Sequence, residues 1–132
     1  MPAIHQIDHD AKLIVTTWQG DAVDTDFIEA ITKYQKEIQG CPEYINYDEV
    51  VDFSYVNKIK LTTQGIKSLG KIASKTDQRE VEKKLALIVS SNLAFGLARM
   101  YVAYRNFEKN SSKVIRIFKT EDEAYKWLTS KT

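Results

Sequence analysis

The sequence predicts an α/β domain with a mostly parallel five-stranded sheet and four helices. One observation is residues 84–105, where an apolar run of strand length (85–89) is followed by polar capping residues and an apolar helix. Another is the order of strand-like and helix-like segments, β-β-α-β-α-β-α-β-α. The length of 132 residues suits one domain spanning residues 1–132. We therefore expect right-handed crossovers after an N-terminal antiparallel hairpin, and ligands at the carboxyl ends of the strands.

The first segments predict the hairpin and a helix. Residues 4–8 and 12–19 are predicted as strands, because the second is rich in β-branched residues and the link between them is short. Residues 21–26 supply acidic and capping side chains for a helix that runs to about Gln39, where a glycine and a proline follow. The apolar stripe of this helix is Phe27, Ile31, Tyr34 and Ile38.

The middle of the chain predicts a third strand and a second helix. Residues 45–53 are expected to form the strand, and residues 54–60 a loop. Thr62 or Thr63 is predicted to cap a helix that lasts to about Ser74. Its inward face is Ile66, Leu69 and Ala73.

The remaining segments complete the alternation. Residues 75–83 are charged and predict a solvated link before the central strand. Residues 93–107 predict the third helix, and residues 113–118 the fifth strand. Residues 120–123 read as a capping box that begins the last helix. The apolar side chains of that helix are Ala124, Trp127 and Leu128.

Composition excludes several classes of function. The 19 basic and 18 acidic residues give a net charge of +1, which is too small to attract nucleic acid over long range. The single cysteine, Cys41, cannot form an internal disulfide. No apolar stretch approaches the ~20 residues of a membrane span, and residues 1–10 lack the pattern of a signal peptide. We therefore expect a cytoplasmic protein with no membrane span and no nucleic-acid partner.

The chain shows no catalytic or metal-binding pattern. His5 and His9 lie on a predicted strand and its turn, about 13 Å apart, which is too far for one ion. Asp48 and Asp52 share one strand face while Glu49 lies on the other, so they form no obvious acid–base pair. Gly-rich phosphate loops are absent from the sequence. We expect a non-enzymatic protein with no metal and no cofactor.

The predicted third helix is apolar on more than one side. One stripe is Leu93, Leu97, Met100 and Tyr104, whereas Phe95, Ala98, Val102 and Phe107 lie outside it. We expect this helix to be buried between the sheet and the last helix. The alternatives are a dimer interface and the wall of an apolar ligand pocket, and Tyr101 and Tyr104 suit both because a phenol tolerates a half-wet boundary.

Polar residues at this helix have structural and functional interpretations. Arg99 is expected to be buried and paired with Asp52 or Glu49, and the functional alternative is an anionic ligand. Ser90 and Ser91 precede the helix, where helix capping is the simpler interpretation and anion binding the alternative.

Several segments together resemble the SpoIIAA-like proteins. They are residues 48–54, residues 90–101, and residues 114–118 with 123–128, and the most specific part is residues 95–100, Phe-Gly-Leu-Ala-Arg-Met. These proteins are bacterial domains related to the STAS (anti-sigma-factor antagonist) fold and compared in shape with CRAL-TRIO lipid-binding domains. The resemblance covers nearly the whole chain and implies the same single-domain fold.

The resemblance also implies a candidate regulatory site. Related STAS domains are switches in which a Ser or Thr at the start of the helix after the third strand is phosphorylated. The matching residues here are Thr62 and Thr63, the candidate phosphoacceptors. Lys60 and Leu61 stand where STAS switches usually have an acidic residue before the acceptor, which is a departure from the pattern.

Two functions follow as hypotheses. The first is a STAS-like regulatory module that forms a homodimer or binds a protein partner through residues 93–107 or residues 54–63. The alternative is a binder or carrier of a small apolar or lipid-like molecule. That alternative requires a cavity lined by residues such as Trp18, Phe53, Phe95, Met100 and Tyr101.

Overall fold

The computed structural model describes residues 3–40, 42–74, 83–106 and 113–130. Within them the chain forms one five-stranded sheet in the spatial order β1-β2-β3-β4-β5. The strands are β1 (Ala3–Asp8), β2 (Leu13–Val23), β3 (Asp48–Lys60), β4 (Lys83–Ile88) and β5 (Lys113–Phe118). β1 pairs with β2 antiparallel, and the other neighbours are parallel, which confirms the predicted sheet.

The helices cover the two faces of the sheet unequally. They are α1 (Asp24–Gly40), α2 (Thr63–Ser74), α3 (Asn92–Asn106) and α4 (Glu121–Leu128), and the predicted element order is confirmed. α1, α2 and α3 pack on what we call the three-helix face, formed by side chains such as Trp18, Leu85 and Leu87. α4 packs on the opposite, single-helix face, against Ala86 and Ile88. Successive residues of a strand point to opposite faces, so β4 supplies both cores.

β2 and β3 are longer than predicted. β3 continues through residues 54–60, which were expected to be a loop, and pairs with β2 as far as Val23↔Lys60. The register shifts between Thr17 and Gln19 and again after Gly20, where a positive φ of 70° suits a bulge. Apolar contacts hold this extension, since Ala22 is fully buried. The predicted start of the third strand is instead a 3-10 helix, Pro42–Asn46.

The prediction that the third helix is buried between the sheet and the last helix is wrong. α3 packs by one side on the three-helix face, and α4 lies on the other face of the sheet. From β2 to β5 the strands follow one another across the sheet in chain order, so right-handed crossovers place α1, α2 and α3 on the same face. α4 follows the last strand and makes no crossover, so this rule does not determine its face. Leu93 and Met100 are therefore 63% and 43% exposed.

Some expectations concern residues outside the described ranges, namely Cys41, residues 75–82 of the predicted link, and Phe107. Among the helices of the described ranges, none has the length and apolar character needed to cross a membrane.

Candidate binding cavity

A cavity of about 160 Å³ lies between the three-helix face and α1, α2 and α3. Its floor is formed by side chains of β2, β3 and β4, and its walls by the helices. Small residues on all three helices leave the space open, because an alanine cannot reach the sheet. They are Ala30 on α1, Ala73 on α2, and Ala94 and Ala98 on α3.

Aromatic side chains form the end of the cavity near the carboxyl ends of the strands. Trp18 stacks on Phe27 with ring centroids 4.4 Å apart, and on Phe53 at 5.8 Å. Trp18 is buried, at 4% exposed, and all three rings line the cavity. Flat rings in offset stacks present a smooth apolar wall. These rings are apolar except for the indole N–H of Trp18, so this end of the cavity suits an apolar group.

The extended part of β3 contributes to the same apolar end. Ile59, near the end of the strand, and Leu61, just after it, both line the cavity. Ile59 contacts the apolar clusters on both sides of the cavity. Sequence reasoning missed this contribution, because residues 54–60 were expected to be a loop.

Polar side chains form the other end of the cavity. Glu49 of β3 is 6% exposed and lines the cavity. Lys83 Nζ lies 3.0 Å from Glu49 Oε1, and both side chains of this ion pair are largely buried. The Tyr34 hydroxyl donates a hydrogen bond to the same carboxylate oxygen. Burial and the adjacent negative charge of Glu49 raise the pKa of Tyr34, so this phenol stays protonated.

A histidine and a threonine lie beside this group. His5 Nδ1 and Thr16 Oγ1 are 2.7 Å apart and share a hydrogen bond, and both residues line the cavity. The His5 ring packs 5.6 Å from the Tyr34 ring. Burial lowers the pKa of His5, with smaller opposing effects from Glu37 and Glu49, so the imidazole is neutral at pH 7. The polar end therefore carries one compensated ion pair and neutral hydrogen-bonding groups.

These polar groups lie at the amino ends of the parallel strands. Glu49 is the second residue of β3, and Lys83 is the first of β4. Ligands were expected at the carboxyl ends of the strands, where the cavity has its apolar end instead. A signal for the polar end was present in the sequence. Glu49 lies on the inward face of an apolar strand, and Tyr34 lies on the inward stripe of α1.

Three of the residues predicted for the pocket or interface line the cavity. They are Trp18, Phe53 and Tyr101. The other six do not line it: Ser90, Ser91, Phe95, Arg99, Met100 and Tyr104.

Those six residues lie before the start of α3, on its outer side, or at its contacts with neighbouring elements. Phe95 is half-buried, with Lys119 Nζ 5.5 Å from its ring centroid. Tyr104 packs against Gly70 of α2, where a Cβ atom would overlap its ring. Ser91 caps α3, because its hydroxyl accepts a hydrogen bond from the Ala94 backbone N–H at 3.1 Å. Ser90 is exposed.

The prediction that Arg99 is buried and paired with Asp52 or Glu49 is wrong. Arg99 is exposed on the outer side of α3. The inward stripe of α3 is Ala94, Ala98, Tyr101 and Arg105, one position along from the predicted stripe. Arg105 is the buried arginine of this helix, at 3% exposed, and it donates to the Gly70 carbonyl at 3.5 Å.

The two candidate phosphoacceptors lie at the start of α2. The Thr62 hydroxyl donates to Asp24 at 2.6 Å and accepts from the Gly65 backbone N–H at 3.0 Å. Thr62 therefore caps α2 and joins it to the start of α1. Thr63 is the first residue of α2, and both threonines are exposed.

Both histidines form hydrogen bonds to other side chains. His9 Nδ1 lies 3.0 Å from the Tyr47 hydroxyl, and His5 is bonded to Thr16. Within the described ranges, no three His, Cys, Asp or Glu side chains come together in a way that could hold a metal ion.

The arrangement of strands and helices matches a known fold. A five-stranded sheet with an antiparallel edge strand, three helices on one face and a fourth on the other is a SpoIIAA-like fold, which confirms the fold that the sequence predicted. The structure is similar to the crystal structure of an uncharacterized protein from the DUF3478 family with a SpoIIAA-like fold from Shewanella loihica PV-4. The TM-score is 0.58 at 13% identity, over 96% of this chain and 91% of that chain. The chain matches no family model and no curated protein sequence.

Proposed function

We propose that the chain is a non-enzymatic binding module that holds a small apolar molecule between the three-helix face and α1, α2 and α3. The observation that carries this proposal is the cavity of about 160 Å³. A concave space of this size with apolar walls favours an apolar occupant, because covering those walls removes apolar surface from water. Its walls are mostly apolar, with a few convergent polar groups at one end, as in small-molecule sites generally.

The SpoIIAA-like fold supports a regulatory role of the STAS kind for this module. In that role, occupancy of the cavity is the signal, and the contacts of α1, α2 and α3 with the sheet change with it. A ligand changes these contacts only if it binds one arrangement of the helices and the sheet more tightly than another.

Toluene binding to variants of α3 tests the proposal. Ala98→Leu places a larger side chain in the cavity, whereas Ala103→Leu is the same change on the exposed side of the same helix. We expect toluene to raise the midpoint of thermal unfolding of the parent protein and of Ala103→Leu, and to leave that of Ala98→Leu unchanged. Toluene that leaves the parent protein unchanged, or that stabilises all three equally, contradicts the proposal.

A second candidate function is the recognition of a protein partner or a second copy of the chain through the outer side of α3. The observation that favours it is the exposure of two large apolar residues on that side, Leu93 at 63% and Met100 at 43%. Light scattering at increasing protein concentration tests self-association. Self-association that Met100→Lys abolishes supports this candidate, and a monomer at every concentration counts against the dimer.

Modification of Thr62 or Thr63 is a proposal that comes from the resemblance to STAS switches. A phosphate on Thr62 replaces the hydroxyl proton that Asp24 now accepts and brings two negative groups together. Such a modification therefore loosens the junction of α1 and α2. Thr63 lies at the same helix start as Thr62, but the hydroxyl that bonds Asp24 is that of Thr62. Mass spectrometry of the protein isolated from its native cells shows whether either site carries a phosphate, and an unmodified peptide counts against the proposal.

A further inference from the structure

We infer that the cavity selects a neutral, single-ring molecule that carries one hydrogen-bond donor, of which phenol is the simplest example. This inference rests on the proposed function and adds the chemical class of the ligand. It follows from the size of the cavity, from the hydrogen-bonding groups at its polar end, and from the charge balance there.

The size of the cavity limits the ligand to about one ring. An engineered cavity of about 150 Å³ in a protein core accepts benzene. The cavity here, at about 160 Å³, is of the same size. The stacked rings of Trp18, Phe27 and Phe53 offer an aromatic wall against which a flat ring packs. The long acyl chain of a lipid is therefore a poor fit for this space.

The polar end presents hydrogen-bond acceptors. The Tyr34 hydroxyl uses its single proton on Glu49, so its oxygen faces a ligand only as an acceptor. The Glu49 carboxylate already accepts from Tyr34 and Lys83. The Gln35 amide, which also lines the cavity, donates to the Ile72 carbonyl. His5 and Thr16 are bonded to each other. A ligand that donates a hydrogen bond to the Tyr34 oxygen matches this arrangement.

The charge balance at the polar end favours a neutral ligand. The Glu49 carboxylate is compensated by Lys83 at 3.0 Å, and this pair is largely buried. An anionic ligand brings a second negative charge beside Glu49 in a low-dielectric interior, and a cationic ligand competes with Lys83 for the same oxygen. A neutral donor keeps the existing pair intact.

Calorimetric titration of the full chain with benzene, phenol and benzoate tests the inference. A wholly apolar cavity rejects phenol, because its hydroxyl loses hydrogen bonds to water without replacement. Here we expect phenol to bind about 3- to 10-fold more tightly than benzene, the range that one net hydrogen bond supplies, and benzoate not to bind. Tyr34→Phe removes the acceptor oxygen and keeps the ring. We expect it to abolish the preference for phenol and leave benzene affinity within about twofold, since the apolar contacts remain.

Each outcome separates this inference from the proposed function. Benzene binding with weaker phenol binding, or a phenol preference that Tyr34→Phe retains, overturns the inference and leaves the proposed function standing. Benzoate binding more tightly than phenol overturns the charge argument. Failure of all three probes to bind overturns the proposed function itself. Should Tyr34→Phe fail to fold, nuclear Overhauser contacts in the parent protein decide. Contacts from phenol to Tyr34 support the inference, and contacts to Trp18 alone overturn it.

Discussion

The two faces of the sheet are covered in different ways. On the single-helix face, Ala86 and Ala124 are both fully buried at 0% exposure, so α4 lies close against the strands. On the three-helix face, alanines on the helices face large aromatic and aliphatic side chains across a cavity of about 160 Å³. The buried ion pair of Glu49 and Lys83 is on this second face as well. The single-helix face is closely packed, while the three-helix face combines space with buried polar groups, and this difference is the basis of the proposed binding function.

The largest expected difference between the faces comes from two neighbouring lysines of β4. Lys83 pairs with buried Glu49 on the three-helix face, whereas Lys84 bonds the carbonyls of Trp127 and Ser130 near the end of α4. Lys83→Met leaves the Glu49 charge without this partner, and we expect it to lower the free energy of unfolding by about 3–5 kcal/mol. Lys84→Met loses charged hydrogen bonds near the surface, and we expect about 1–2 kcal/mol.

Urea denaturation of both lysine variants at neutral pH measures this difference. The Lys84→Met variant is the matched control, since the substitution and the strand are the same. Equal losses of stability for the two variants contradict the view that the polar end is a low-dielectric environment.

Placing a larger side chain on each face tests the difference in packing between the two faces. Ala86→Leu on the single-helix face forces extra methyl and methylene groups into a packed contact with α4, and we expect a loss of about 1–3 kcal/mol. Ala98→Leu on the three-helix face places the same groups in the cavity, and we expect unchanged stability or a gain of about 1 kcal/mol. Thermal and urea unfolding measure both. A larger loss for Ala98→Leu than for Ala86→Leu contradicts the presence of usable space on the three-helix face.

Acidification affects the three-helix face through His5. Burial lowers the pKa of His5 below its ordinary value of 6.5, so the unfolded chain takes up a proton more readily than the folded one. The contribution of this group to stability is therefore intact above pH 6.5 and is lost as the pH falls from 6.5 toward the lower folded pKa. Urea midpoints at pH about 7.5 and about 5.5 measure the loss. We expect it to be smaller in His5→Gln, which lacks the titrating group, and an equal loss contradicts the assignment.

The sequence was sufficient to predict the strands and helices whose apolar residues recur with the spacing of one type of element. The apolar strand β4, the capping box before α4 and the alternation of strands and helices gave the correct sheet and element order, and the resemblance implied the SpoIIAA-like fold. These signals are local, because each depends on residues within a few positions of one another. The extension of β3 through residues 54–60 depends instead on pairing with β2, which is distant in sequence.

The orientation of α3 could not be predicted from its pattern. Its large apolar residues Leu93 and Met100 suggested an inward stripe, but a helix that is apolar on several sides has no clear inward direction. The structure turns the smaller residues Ala94 and Ala98 toward the sheet. The cavity exists because these inward residues are small. The pattern of a single sequence does not show that space is left between the helices and the sheet. Arg99, which was expected to be buried, is exposed because it lies on the outer side of the helix in this orientation.

The outer side of α3 belongs to neither face of the sheet and gives the smallest expected effect on stability. Met100 is 43% exposed there, so Met100→Lys removes little buried surface, and we expect the free energy of unfolding to change by no more than about 0.5 kcal/mol. The same variant changes self-association strongly if this side of α3 binds a second copy, because a charge at the centre of an apolar contact is costly. Denaturation and light scattering on one sample separate the two effects. A loss of stability well above 0.5 kcal/mol without any change in association shows that Met100 contributes to the core of the monomer, and it counts against self-association through the outer side of α3.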